Sequence, residues 1–255
     1  MNKRTMLSLT LLALLALTPI AVQASQEVRV GGGGAAMSTI FDPIVTPLQK
    51  ATGIALSRRP STPANGLMDL VNGRVDLATA AVPLENMIAG AAKNGVTVDP
   101  AKLVKEQIGT NRTVLLVNPA NKVGKLTSEQ IKGMFTGKIV NWKEVGGDDM
   151  AIIVVWGIGT PGQNAQFVKE VLGGEKVTSE SLESTNYAAI KDTVASTPEA
   201  IGIDPFGIAD ATVRAIACNP ELTSPIIAVT MGKPSADVQK VIGYIKGEGR
   251  QFTKQ

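Results

Sequence analysis

The stretch Val154–Phe167, VVWGIGTPGQNAQF, carries the most distinct local chemistry in this chain. It reads as a strand, a glycine turn at Gly157-Ile158-Gly159-Thr160, and the start of a helix. Such a turn leaves backbone N–H groups unpaired at the positive end of a helix dipole, where they receive anions or the oxygen atoms of polar solutes. Gln163 and Asn164, just past the turn, add neutral donors and acceptors. More polar side chains sit early in the chain: Ser61, Thr62 and Asn65 in SRRPSTPANG, and Thr79 at the end of RVDLATAAV. Each of these residues also has a plain structural role open to it, as a helix cap or a turn former. For Arg58 and Arg59 two readings stand, a solvated surface charge or a reach into the site.

What is absent narrows the chemistry. The chain has no histidine, which removes histidine-based triads and the usual zinc sites. Its one cysteine, Cys218, cannot form an intrachain disulfide and reads as a small buried apolar residue rather than a nucleophile. Aromatic residues make up 4%, too few for stacking platforms. GGGGAA fits Gly31-x-Gly33-x-x-Ala36, a dinucleotide fingerprint, but four consecutive glycines satisfy most glycine patterns. A tight strand-to-helix turn is the preferred reading. Asp76 and Glu85 make no persuasive acid pair, and Met87 and Met134 read as core. No nucleophile–base set or metal cluster emerges, so no enzyme, metal or cofactor is expected.

Lys3 and Arg4, the apolar run Leu7–Leu17, Pro19 and Val22-Gln23-Ala24 follow the order of a secretory signal peptide. Cleavage is expected after Ala24, and Ser25 rather than Cys follows, so no lipoprotein anchor is expected. The apolar run is shorter than the roughly 20 residues that a membrane span needs. Without Lys3 and Arg4 the formal charge of +3 falls by two to near neutrality, and no basic block points to nucleic acid.

The elements alternate. EVRVGGGG, IALSRRP and RVDLATAAV read as strands, separated by the helices AAMSTIFDPIVTPLQKATG and ANGLMDLVNG. Pro43 and Pro47 complicate the first helix. RTVLLVNP, AIIVVWGIG and IGIDPFG are further strands, TSEQIKGMFTG, GQNAQFVKEVLGG and NYAAIKDTVASTPEA further helices, and SADVQKVIGYIKGEGRQF a terminal amphipathic helix. Alternation of this kind makes parallel sheets with crossover helices.

In Lys122–Gly147, Leu126-Thr127, Gln130, Phe135, Gly137-Lys138-Ile139, Asn141-Trp142 and Gly146-Gly147 form a long and specific pattern. It resembles the phosphate-binding proteins of bacterial ABC transporters, and TGIAL, NGRVDLATAAVPL, VNPANKV and AIGIDPFGIA agree in order. The resemblance spans essentially the whole chain after residue 24. It implies the α/β type II periplasmic-binding-protein fold: two lobes with mainly parallel sheets joined by a hinge. One lobe would be residues 25–117 plus 204–255 and the other residues 118–203, with crossings near Val117 and Asp204. Ligand then lies between lobes, at loops leaving strand ends.

Carried over residue by residue, the family's side chains are largely missing. The family has a hydroxyl residue after the first glycine turn; here Gly34 is followed by Ala35 and Ala36. For the family's second-loop serine, Ser61, Thr62 and Ala64 compete. The family's Asp two residues before a Pro, which accepts a hydrogen bond from protonated phosphate, is Ala81 ahead of Pro83. Its Arg falls among Val154, Val155 and Trp156, and its cradle Ser is Ile158, whereas Gly159 and Thr160 are kept. Each lost charge-assisted hydrogen bond costs about 1.5–3 kcal/mol. The resemblance thus implies a monomeric extracytoplasmic binding protein for a small oxyanion or polar solute, serving an ABC permease in the inner membrane, without tight phosphate selectivity. The alternative is a secreted sensor or protein-interaction module that no longer carries a solute.

Overall fold

The computed structural model describes residues 26–255; the secretion signal expected over residues 1–24 lies outside the described residues. β1 (Glu27–Gly33) runs straight into α1 (Gly34–Ala36), a π-helical turn (Met37–Phe41) and α2 (Asp42–Thr52). β2 (Ala55–Ser61), α3 (Pro63–Val71), β3 (Leu77–Ala80) and α4 (Leu84–Lys93) follow. β1 lies between β2 and β3, parallel to both, as strand–helix–strand alternation requires. Gly32 lets these strands close up: its φ is +133°, and a Cβ there would stand 2.1 Å from Thr79 O. The glycine run is therefore a packing device at a strand-to-helix turn.

The proline-rich helix is accommodated by local rearrangement. Pro43 has no N–H to give Thr39 O, four residues back. The Asp42 N–H instead bonds Met37 O, the wider π spacing, and Thr39 O accepts from the N–H of Lys254 at 2.8 Å.

β4 (Leu103–Val117) is far longer than the RTVLLVNP segment suggests. The middle of the chain forms α5 (Ser128–Phe135), β5 (Ile153–Gly157), α6 (Pro161–Glu170), β6 (Leu182–Ser184), α7 (Tyr187–Ser196) and β7 (Ala200–Pro205). β8 (Arg214–Met231) and α8 (Ala236–Lys246) complete the regular elements. β5 pairs with β6 and β7 in parallel. β4 and β8 are antiparallel to each other along nearly their whole length, and they join the two parallel sets into one eight-stranded sheet, β2-β1-β3-β8-β4-β7-β5-β6. The type II binding-protein fold is thus present as two α/β halves that share two long strands. Between Thr113 and Val114 of β4 the partner on β8 jumps from Leu222 to Ala217, so Cys218–Glu221 bulge out of the ladder.

The core follows the same division. Val30, Ile40, Phe41, Leu48 and Val241 cover one face of the first set, and Leu67, Leu70, Met87 and Val229 the other. Trp142, Phe135, Phe167 and Ile203 pack on one face of the second set, with Cys218 and Leu222. Val114, Val155, Ile190 and Val194 pack on the other. Cys218 is buried, and burial pushes its thiol up to about 12, which leaves it a protonated apolar filler.

Candidate functional site

A cleft of about 60 Å3 lies where the halves meet, lined by Gly33–Ala35, Ser61–Pro63, Ala81, Val82, Asn111, Thr113, Gly159–Gln163, Gln166, Tyr187 and Ser224. A water needs roughly 10–15 Å3 on this measure, so the space holds about four to six water-sized atoms, the scale of a small solute. The halves touch across it. A Cβ on Gly34 would stand 3.1 Å from the Tyr187 ring, and one on Gly162 would stand 3.0 Å from Val82 Cγ1. Gln166 Nε2 donates to Thr223 O at 3.0 Å, tying α6 to β8.

The glycine turn is built as its sequence suggests. The Ile158 N–H bonds Ser184 O on β6, which pins the loop. The Gly159 and Thr160 N–H groups have no backbone partner among the described residues. Gly159 cannot be replaced without movement, because a Cβ would meet Thr185 O at 2.0 Å. Thr160 precedes α6 without a side-chain cap; its hydroxyl instead reaches Gly157 O at 3.0 Å and Asn164 Oδ1 at 2.9 Å. Asn164 Nδ2 donates to Gly157 O at 2.6 Å, so this side chain braces the turn and does not line the cleft. Ile158 points outward, 57% exposed, and takes no part in the lining.

Of the other expected site residues, Gly34, Ala35, Ser61, Thr62, Ala81, Gly159, Thr160 and Gln163 meet at the cleft. Ala36 is buried in the core of the first half. Thr79 is fully buried and donates to Ile227 O at 2.9 Å, holding β3 to β8. Asn65 gives its backbone N–H to Thr62 Oγ1 at 3.1 Å, the cap of α3, and its side chain stays outside the lining. Arg58 pairs with Asp42, Arg59 is exposed, and neither lines the cleft. Asn111, Thr113, Gln166, Tyr187 and Ser224 were not foreseen. The one signal among them was Asn111, a residue disfavoured in strands, at the head of an apolar strand run.

No lining residue carries a charge at neutral pH. Behind Tyr187, Asp204 on β7 is fully buried with neither carboxylate oxygen hydrogen-bonded. Burial drives its pKa well above the ordinary carboxyl value, against the pull of Lys191. The Tyr187 hydroxyl is pushed up by burial and by the neighbouring Asp204. Lys191 is spent on Asp210 at 2.7 Å.

The long motif has a different job. None of Lys122–Gly147 lines the cleft. Thr127 and Gln130 form a complete capping box on α5, and Asn141 and Glu144 form another. Trp142 is fully buried and its indole N–H donates to Glu199 O at 2.9 Å. Lys132 and Lys138 hold Glu175 at about 2, below the carboxyl range. Asp76, on the opposite half, pairs with Arg29 at 2.6 Å.

A two-half α/β chain with an inter-half cleft and helix starts at its rim defines a class of binding protein. A family model, the PBP superfamily domain, matches residues 21–217, and the chain belongs to that family. The phosphate-binding protein PstS of Bacillus subtilis (strain 168) is 30% identical over 200 residues, 73% of this chain and 64% of that protein. This chain therefore spans just under two thirds of that relative's length. A Clostridium perfringens protein assigned as a phosphate ABC transporter substrate-binding protein, solved with bound phosphate, superposes with a TM-score of 0.72 at 24% identity, over 89% of this chain and 96% of that one. An ABC-type phosphate transport receptor from Vibrio cholerae gives 0.58 at 21% identity, covering 88% and 95%. The reduced OxyR regulatory domain from Pseudomonas aeruginosa gives 0.61 at 13% identity, covering 87% and 95%. At these identities the solved structures show the shared fold.

Proposed function

We propose that this protein is an extracytoplasmic solute-binding receptor that closes on a small oxyanion or polar solute and hands it to a membrane permease of the ABC type. The observation that carries the reading is the cleft itself: backbone N–H groups, hydroxyls and amides converge there with no charged side chain. Kinship with a phosphate-binding protein and the likeness to phosphate transport receptors support the same direction. We place the lobe crossings within β4 near Asn111–Thr113 and within β8 at Cys218–Leu222, instead of near Val117 and Asp204 as the resemblance implies, because Leu115, Val117, Ile203 and Ile216 pack in the core of the second half and the β4–β8 register breaks beside Thr113. A receptor working outside the cytoplasm agrees with the leader-like start, and no helix among the described residues is long and apolar enough to cross a membrane.

The ligand is held by dipoles. Without an Arg for the anion and with Ala81 where the family has an acid, the site lacks the charged contacts that make phosphate binding tight and selective. A non-transporting sensor or interaction module would have a filled or apolar cleft; this one is open, with the Ser61, Thr62 and Gly159–Thr160 polar groups set among Ala35, Ala81 and Val82, and its open space favours the receptor. A thermal-shift screen of the purified protein against phosphate, other oxyanions, small carboxylates and neutral polar solutes tests this. A solute at 100 times its Kd adds about 2.7 kcal/mol, enough to move the melting point. A shift with at least one of these solutes is expected, and a flat response to all of them rejects the receptor.

A further inference from the structure

We infer that Arg112 is a hinge switch, stacked on Phe206 while the two halves lie together and paired with Asp204 once they part, so that opening of the cleft releases a proton. The inference rests on the receptor reading above and adds its regulation. Arg112 and Asp204 share one face of the sheet. Val114, two residues after Arg112, stands directly opposite Asp204 on β7, and Arg112 Cζ lies 4.3 Å from the centre of the Phe206 ring. Two residues along a strand span about 7 Å, within reach of an arginine side chain. Arg112 enters no ion pair among the described residues, and its Nε is buried without a partner. Asp204 is fully buried with both carboxylate oxygens unpartnered. The other titratable groups that face it come from α7: the Tyr187 hydroxyl, and Lys191, which is held by Asp210 and Asp192.

A buried charge without its partner is destabilising. A guanidinium and a carboxyl that are neighbours, yet both unpartnered, mark one state of a two-state element. Their place in the fold agrees. Arg112 lies on β4 where the chain crosses between halves, and Gly207 abuts the π-helical turn of the first half, where a Cβ would stand 2.7 Å from Thr39 Cα. Parting the halves draws that turn away from Phe206 and Gly207, loosens the stack on Arg112, and lets the guanidinium and water reach Asp204. While the halves lie together, burial keeps Asp204 protonated above its ordinary value of 3.8. Once they part, the ion pair favours the carboxylate, and the proton goes to solvent. Low pH therefore favours closure. Between the two pKa values of Asp204 the open-to-closed ratio rises by up to about tenfold per pH unit.

Spin labels on Lys93→Cys of α4 and Lys169→Cys of α6, exposed positions on opposite halves, report the distance between them by double electron–electron resonance, while buried Cys218 stays unlabelled. No solute is added, so the result is separate from that of the solute screen. From pH near 5 to pH near 8 the long-distance population is expected to grow at least about tenfold against the short one. Asp204→Asn is expected to hold the halves together at both pH values. Arg112→Met keeps a contact with the Phe206 ring but no charge, and is expected to lose the pH response. Arg112→Lys restores the charge and is expected to regain most of it. The Arg112 variants keep the test open if Asp204→Asn fails to fold. A distance distribution that ignores pH, or a response that survives in Asp204→Asn or Arg112→Met, overturns the inference and leaves the receptor reading standing.

Discussion

At the scale of single residues, two positions show how the cleft is held. Gly159 leaves no room for a side chain against Thr185 O. Gly159→Ala is expected to cost about 1–3 kcal/mol through forced displacement of the turn. Solute affinity should fall with the melting temperature, which calorimetry and titration read together. Asp204 is the second position. Its folded-state pKa is raised by burial, so the folded chain keeps a proton that the unfolded chain releases above the ordinary value of 3.8. Stability from this group is therefore greatest at low pH and declines as pH rises toward the folded pKa. Asp204→Asn, which cannot ionise, is expected to raise the melting temperature at pH near 7 and much less at pH near 4; a gain that does not depend on pH would reject buried ionisation as its cause. Gly159 and Thr160 were legible as a turn with open N–H groups because turn chemistry is local. Asp204 carried no such mark, since its burial follows from β7 lying between β4 and β5.

At the scale of elements, the most specific sequence pattern turned out to build structure away from the cleft. Thr127→Ala removes half of the α5 capping box and is expected to cost about 1 kcal/mol with solute affinity unchanged. A loss of affinity in that variant would show that α5 acts on the site. The C-terminal residues tie the π-helical turn to the segment that follows β7. The Lys254 N–H takes Thr39 O, left open by Pro43, and its Nζ reaches Gly207 O at 3.0 Å. Deleting Lys254 and Gln255 is expected to lower stability by about 1–3 kcal/mol, because the freed carbonyls lose their donors. An unchanged unfolding midpoint in urea would contradict this. Helices α5, α7 and α8 were readable from caps and periodicity. Asn186 and Ser235 do cap α7 and α8. β8 was not readable: Arg214–Met231 contains Pro220 and Pro225 and pairs with β3 and β4, both far away in the sequence, so its strand character is set by the partner strands rather than by its own pattern.

At the scale of the whole molecule, the fold was legible because alternating strands and helices limit the architectures, and because the Lys122–Gly147 pattern resembles one family. The site was only half legible. Its N–H cradle and the Ser61-Thr62 loop lie on local turns, whereas Asn111, Tyr187 and Ser224 reach the cleft through long-range pairing and lobe contact. The central claim is that solute binds between the halves and requires their approach. Gly34 tests it, since it has ordinary backbone geometry yet faces the Tyr187 ring across the cleft. Gly34→Trp should wedge the halves apart while leaving each core intact. The measurement is isothermal titration of the unaltered protein and Gly34→Trp with the solutes of the thermal-shift panel. The account predicts saturable binding of at least one small oxyanion or polar solute to the unaltered protein and its loss in the variant, with unfolding without solute little changed. Equal binding by both proteins, or no binding by the unaltered one, would contradict it.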